Sequence, residues 1–191
     1  MTAAEQVLEF WFKELSPQDH FMGGDRVDGM IKDRFADLWQ CAAGGGCSEW
    51  EGEAASILAL ILVLDQFPRN MFRGSGQSFH SDALAREVAS RAIENGLDMQ
   101  ISEPDRLFFY MPFMHSERLG DQDRCVTLIA ERMKETGKQN LLHAKAHRGI
   151  IELFGRFPYR NEALGRENSP EESDWMQNVG YMKFVQQLEE G

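Results

Sequence analysis

Apolar residues recur along this chain at three- and four-residue spacing, and no stretch alternates with period two. Thr2-Ala3-Ala4-Glu5 has the capping-box form, so a first helix carrying Val7, Leu8, Trp11 and Phe12 is expected to open there and close at Ser16-Pro17. Met30, Ile31, Arg34, Phe35, Leu38 and Trp39 mark a second helix over about 25–42, ended by Gly44-Gly45-Gly46. Ser48 and Glu51 form another box, leading into an apolar run that is expected to stop at Phe67-Pro68. Ser81 caps a fourth helix with Leu84, Val88 and Ala92 on one face, ended by Gly96. Ser102-Glu103-Pro104-Asp105 opens an aromatic segment over 107–111, which Pro112 interrupts or kinks. Residues 122–136 read as an amphipathic helix and 139–157 as the next long helix. Ser169-Pro170-Glu171-Glu172 is the cleanest start, with Ser at N-cap, Pro at N1 and Glu at N3, and opens a last helix with Trp175, Val179, Met182 and Val185.

About eight helices with no β-patterned run predict an all-α fold of antiparallel helix pairs. Their spacing is compatible with a repeat near 34 residues, although the tetratricopeptide (TPR) signature residues do not occur in order. No Pro-, Gly- or Ser-rich linker divides the chain, so one domain over residues 1–191 is expected.

Composition then removes several function classes. A hydrophobic content of 42% is too high for a disordered chain. A net charge of -11 opposes long-range attraction to nucleic acid or an anionic membrane, so neither partner is expected. The longest aliphatic stretch, 54–64, falls short of the roughly 20 residues that span a bilayer. No basic segment and apolar h-region open the chain, and its three cysteines, Cys41, Cys47 and Cys125, lack C-x-x-C spacing. Structural thiols and a cytoplasmic location follow as expectations.

One phrase occurs twice. Residues 64–74 read LDQFPRNMFRG and residues 154–166 read FGRFPYRNEALGR. Each places Phe-Pro, Arg-Asn and a Gly-plus-Arg ending after an apolar run, which predicts a polar elbow after a helix stop. The first elbow offers Asp65, Gln66, Arg69, Asn70 and Arg73. The second offers Arg156, Arg160, Asn161 and Arg166. Guanidinium forks suit carboxylate and phosphate, so the sharper reading is an anion site. The plainer reading is structural ion pairs, with Asp65 anchoring the first turn and Glu152, Glu162 and Glu167 serving the second.

His115-Ser116-Glu117 supplies a group that titrates near neutrality and a carboxylate to orient it, provided the chain leaves the helix after Pro112. His143 and His147 share a helical face, but the glutamate of a zinc-protease H-E-x-x-H motif is absent. The face continues as Ile150, Ile151 and Phe154, so packed, unmetallated histidines are expected. No P-loop, dinucleotide fingerprint or nucleophile elbow is present, and neither a metal nor a cofactor is expected.

The blocks LDQFPRN with RG, YMPFMHSE, and FGRFPYRN with LGRENSPEE, together with the opening VLEFWF and the spaced IKDRF and Trp50 region, resemble the signature blocks of domain-of-unknown-function family 924, found largely in bacteria. The resemblance runs from about Val7 to Trp175. It implies an all-helical, TPR-like superhelical array and no established activity. It also points to Asp65, Gln66, Arg69, Asn70, Arg73, His115, Ser116, Glu117, His147, Arg156, Arg160, Asn161 and Arg166. The family pattern implies His in the place of Tyr159 and Ser-Thr in the place of Asn168-Ser169, so an imidazole at that point of the second elbow is not to be expected here.

Three readings remain open on the sequence. The first is a binding module whose pocket combines Arg69, Arg73, Arg160 and Asn161 with His115 and Glu117 for a small anion or a carboxylate-bearing peptide. The second is a hydrolase with His115 as base and Glu117 as its orienter. A purely structural or interaction protein is the third possibility.

Overall fold

The computed structural model describes residues 1–190, the side chains of residues 21 and 22 excepted; Gly191, the last position of the expected domain, lies outside them. Among the described residues there is no strand, and the protein is all-helical. The chain divides into two compact units, Met1–Ile101 and Ser102–Gly191.

The first unit contains α1 (Ala3–Glu9), α2 (Pro17–Met22), α3 (Asp25–Ala43), α4 (Ala54–Ile61), α5 (Phe67–Met71) and α6 (Asp82–Glu94). Thr2 and Glu5 form the expected capping box. Ser16 does more than close a helix, because with Asp19 it caps α2 in the same way. The box expected at Ser48 does not form: residues Ser48–Gly52 wind as a 3₁₀ turn, and α4 starts after Glu53. Two π-helical turns, Phe10–Glu14 and Leu62–Gln66, continue α1 and α4. Phe67 follows the second of these and lies 6.2 Å from Phe10, 5.7 Å from Trp11 and 4.9 Å from Phe35, ring to ring. All four are buried in the core of this unit.

Phe67-Pro68 does not stop the helix, contrary to the expectation above. The wider π turn over Leu62–Gln66 carries the chain into α5, with Pro68 in its first turn. Proline removes the N–H that would bond the carbonyl four residues back, which is that of Leu64. The Ser81 hydroxyl replaces it, donating to the Leu64 carbonyl at 2.6 Å, and the Trp39 indole N–H donates to Ser81 Oγ at 3.0 Å. Ser81 stands at the N-cap of α6 yet makes no side-chain cap bond there, because its hydroxyl is committed to this relay.

The second unit contains α7 (Met111–Met114), α8 (Leu119–Arg132), α9 (Gly137–Phe154), α10 (Pro170–Asn178) and α11 (Gly180–Glu190). Helices α8 and α9 pack along each other as a hairpin joined by 133–136. Here the proline phrase does end a helix: Gly155, at φ 68°, terminates α9, and Pro158–Arg160 forms a single 3₁₀ turn. The expected last helix is two. The capping box at Ser169 and Glu172 opens α10, and Gly180, at φ 65°, separates it from α11. Phe157, Ile150, Ile151 and Trp175 form the core under these helices, with Phe154 and Phe184 against it.

Candidate functional site

The first elbow is closed by charge pairing. Asp65 is fully buried at the end of the π turn and accepts from Gln66 Nε2 at 2.5 Å. Arg69 lies 3.2 Å from Asp65 and 3.0 Å from Asp82, and also donates to the Asp65 carbonyl. Arg73 grips Asp28 with two bonds of 2.8 and 2.9 Å, and Asn70 donates to the Gln66 carbonyl at 3.1 Å. Both guanidiniums that the sequence offers to an anion are therefore held by carboxylates. Nearby, Asp37, Trp39, Gln40, Phe72, Gln77 and His80 help line an open groove of about 810 Å³ whose lining contains no Lys or Arg among the described residues.

The second elbow splits into a closed part and an open part. Arg156 forms two bonds of 2.6 and 2.8 Å with Glu172, which also accepts from Asn161 Nδ2 and from the Ser169 N–H. The Arg156 hydrogen bond outweighs burial and pulls Glu172 to about 2. Arg166 grips Glu117 at 2.7 and 2.9 Å, and the Phe157 N–H donates to Glu117 at 2.9 Å. Burial pushes the Glu117 carboxyl up, but the hydrogen bonds from Arg166 and Phe157 prevail and hold it below its ordinary value. Glu117 thus serves Arg166 and the backbone of the elbow. It does not serve His115, and the orienting role the sequence assigned to it is not realised.

The chain leaves α7 at His115, as the base hypothesis required. The turn is pinned by Ser116, which donates to Asp121 at 2.6 Å, and by Gln122, whose Nε2 donates to the Met114 and Ser116 carbonyls at 2.7 Å each. Gln122 is fully buried and no local pattern marks it, since its partners come from the preceding turn. Arg160 donates to the His115 carbonyl at 2.9 Å, with its guanidinium 4.4 Å above the Phe157 ring.

The open part is built around the imidazoles of α9. His143 and His147 lie one turn apart, and both meet the Tyr181 hydroxyl, at 2.7 and 3.2 Å. His147 Nδ1 also lies 2.9 Å from the His143 carbonyl, an acceptor, so the proton sits on that nitrogen. Both rings are thereby held through Nδ1, which leaves Nε2 as the atom each can present. Burial drives His147 down to about 3; the bond to the His143 carbonyl opposes this, and the nearby His115 and Arg160 add to it. Burial also lowers His143 and raises the Tyr181 hydroxyl. The pair is therefore neutral at pH 7. Phe157, Tyr159 and Tyr181 close an aromatic wall: Tyr159 stacks on Phe157 at 5.3 Å, and His147 meets Phe157 edge-on at 5.5 Å. Tyr159 is 44% exposed. Tyr181 was missed by sequence reasoning because it lies in the first turn of α11, which the apolar stripe merged with α10.

Among the described residues no group of three His, Cys, Asp or Glu side chains is arranged to hold a metal ion, and no helix is long and apolar enough to cross a membrane.

An all-helical protein with ion-paired proline elbows and a neutral imidazole pair in an aromatic wall is the class these features define. The chain belongs to the bacterial proteins of unknown function grouped as DUF924, whose family model matches residues 7–180. It is similar to the solved structure of a protein of unknown function, ATU0120, from Agrobacterium tumefaciens. The two share 41% identity over 91% of this chain and 96% of that one, with a TM-score of 0.84. No curated protein matches it. Tyr181 is the first residue past the matched segment.

Proposed function

We propose that the protein is a helical binding module whose second elbow receives a carboxylate-bearing ligand, the free C-terminal end of a peptide being the form that fits it best. The observation that carries this reading is His147. The residue is half-buried, its ring neutral and held through Nδ1, so Nε2 is an acceptor suited to a ligand N–H. Arg160 supplies positive field beside it and Tyr159 an exposed aromatic face. A terminal carboxylate drawn by the positive field of Arg160, with its adjacent amide N–H toward His147 Nε2, matches the charge and the acceptor that the elbow sets side by side. A net charge of -11 supports a reading without nucleic-acid or membrane partners, and three reduced cysteines support a cytoplasmic location.

The test is a thermal-shift comparison of short peptides with free and amidated C-termini, beside acetate and phosphate, on wild type, His147→Phe and Arg160→Gln. Free-acid peptides are expected to raise the wild-type midpoint as their concentration passes the dissociation constant, and to lose that effect in both variants. Equal shifts from amidated peptides, shifts that survive both variants, or no shift from any probe would overturn the reading.

A further inference from the structure

The end of α3 brings two thiols together. The Gly46 N–H bonds the Cys41 carbonyl and the Gly45 N–H bonds the Ala42 carbonyl, each at 2.9 Å, with Gly45 at φ 82°. This is a Schellman turn, which folds the residue after the helix back over its last turn. Gly46 is that residue, and a Cβ built on it would lie 2.5 Å from Cys41 Sγ. The sulfur therefore occupies the space that the missing side chain leaves. Cys47 comes next in the chain. It is buried, whereas Cys41 is exposed, and the two thiols are near enough for Cys41 to help raise that of Cys47. The sequence marked the cysteines only as structural thiols, because a spacing of six looks unremarkable until the three glycines reverse the chain.

We propose that Cys41 and Cys47 form a reversible intramolecular disulfide when the protein meets a peroxide. The Cys41 thiolate attacks one peroxide oxygen, the O–O bond breaks, and the departing hydroxide takes a proton to leave as water. The sulfur is oxidised to a sulfenic acid. Cys47 then gives up its proton and attacks that sulfur, the S–O bond breaks, and the hydroxide leaves as a second water. Two thiols and one hydrogen peroxide thus yield one disulfide and two waters. The order follows from access: Cys41 is exposed to solvent, whereas Cys47 is buried, and its burial and neighbouring Cys41 push it up to about 11. Cys125 is an internal control, since it is buried against the Tyr110 carbonyl.

The experiment treats the full chain with one equivalent of hydrogen peroxide, blocks free thiols by alkylation and maps peptides by mass spectrometry. The expected product is a monomer with a Cys41–Cys47 crosslink and an alkylated Cys125, restored by dithiothreitol. Cys47→Ser should stop at a sulfenic acid on Cys41 that dimedone traps. Gly46→Ala, which keeps both thiols but displaces the Cys41 sulfur, should slow the crosslink severalfold. Sulfinic acid at Cys41 with Cys47 still alkylatable, crosslinking between chains, or an unchanged rate in Gly46→Ala would each overturn the proposal.

Discussion

Ser81 carries two obligations with one hydroxyl: it donates to the carbonyl that Pro68 strands and accepts from the Trp39 indole. Removing it leaves a buried acceptor and a buried donor unmet. Ser81→Ala is therefore expected to cost about 1–3 kcal/mol in urea unfolding, although the residue makes no helix-cap bond. Glu172 makes a second prediction at this scale. Its folded value is depressed from 4.5 to about 2, so its contribution to stability is full above 4.5 and is lost as pH falls through 2. Glu172→Gln should flatten the acid side of the stability profile in that window, as read by thermal midpoints. An unchanged slope would show that the pair with Arg156 does not distinguish the folded chain. The arginines of the elbows were legible as residues but not as partners. Arg73 meets Asp28 45 positions away, and Arg166 meets Glu117 49 positions away. Local spacing holds no record of such pairs, so charge clusters that looked available to an anion are mostly spent on the fold.

Among the elements, the starts were read more reliably than the stops. A capping box is a local bond between N-cap and N3, and those at Thr2 and Ser169 form as the sequence indicates. Ser48 has the same spacing but yields a 3₁₀ turn, since nothing local compels four more residues to continue as α. Pro68 misled in the other direction, because the remedy for its missing bond is a hydroxyl from another element. The two copies of the proline phrase thus take different conformations, one carried through by a π turn and one broken at Gly155. The seat of α11 on α9 gives a further prediction. A Cβ on Gly149 would stand 3.0 Å from the Phe184 ring, tighter than packed side chains tolerate. Gly149→Ala should weaken hydrogen-exchange protection in 180–190 while sparing α8. Equal protection in both proteins would show that the ring yields without cost.

At the scale of the whole chain, the excess of acid groups dominates. Surface pairs such as Lys13–Glu9 and Arg26–Asp19 are exposed, and such pairs contribute little each. A net charge of -11 meanwhile repels itself in the folded state. Raising sodium chloride from about 20 to about 300 mM should therefore raise the thermal midpoint, since screening relieves more repulsion than it removes attraction. A falling midpoint would mean the ion pairs outweigh the excess charge. The all-helical class was plain in the periodicity of the chain. The chemistry of the second elbow was not, because its key hydroxyl arrives from a helix whose first residue looked like the middle of another. That placement has a mechanical consequence. The tyrosine whose hydroxyl meets both imidazoles stands one residue past Gly180, the left-handed joint between α10 and α11. The joint is therefore a lever: whatever tilts α11 about it carries one oxygen, and with it the anchor of two rings, in a single stroke.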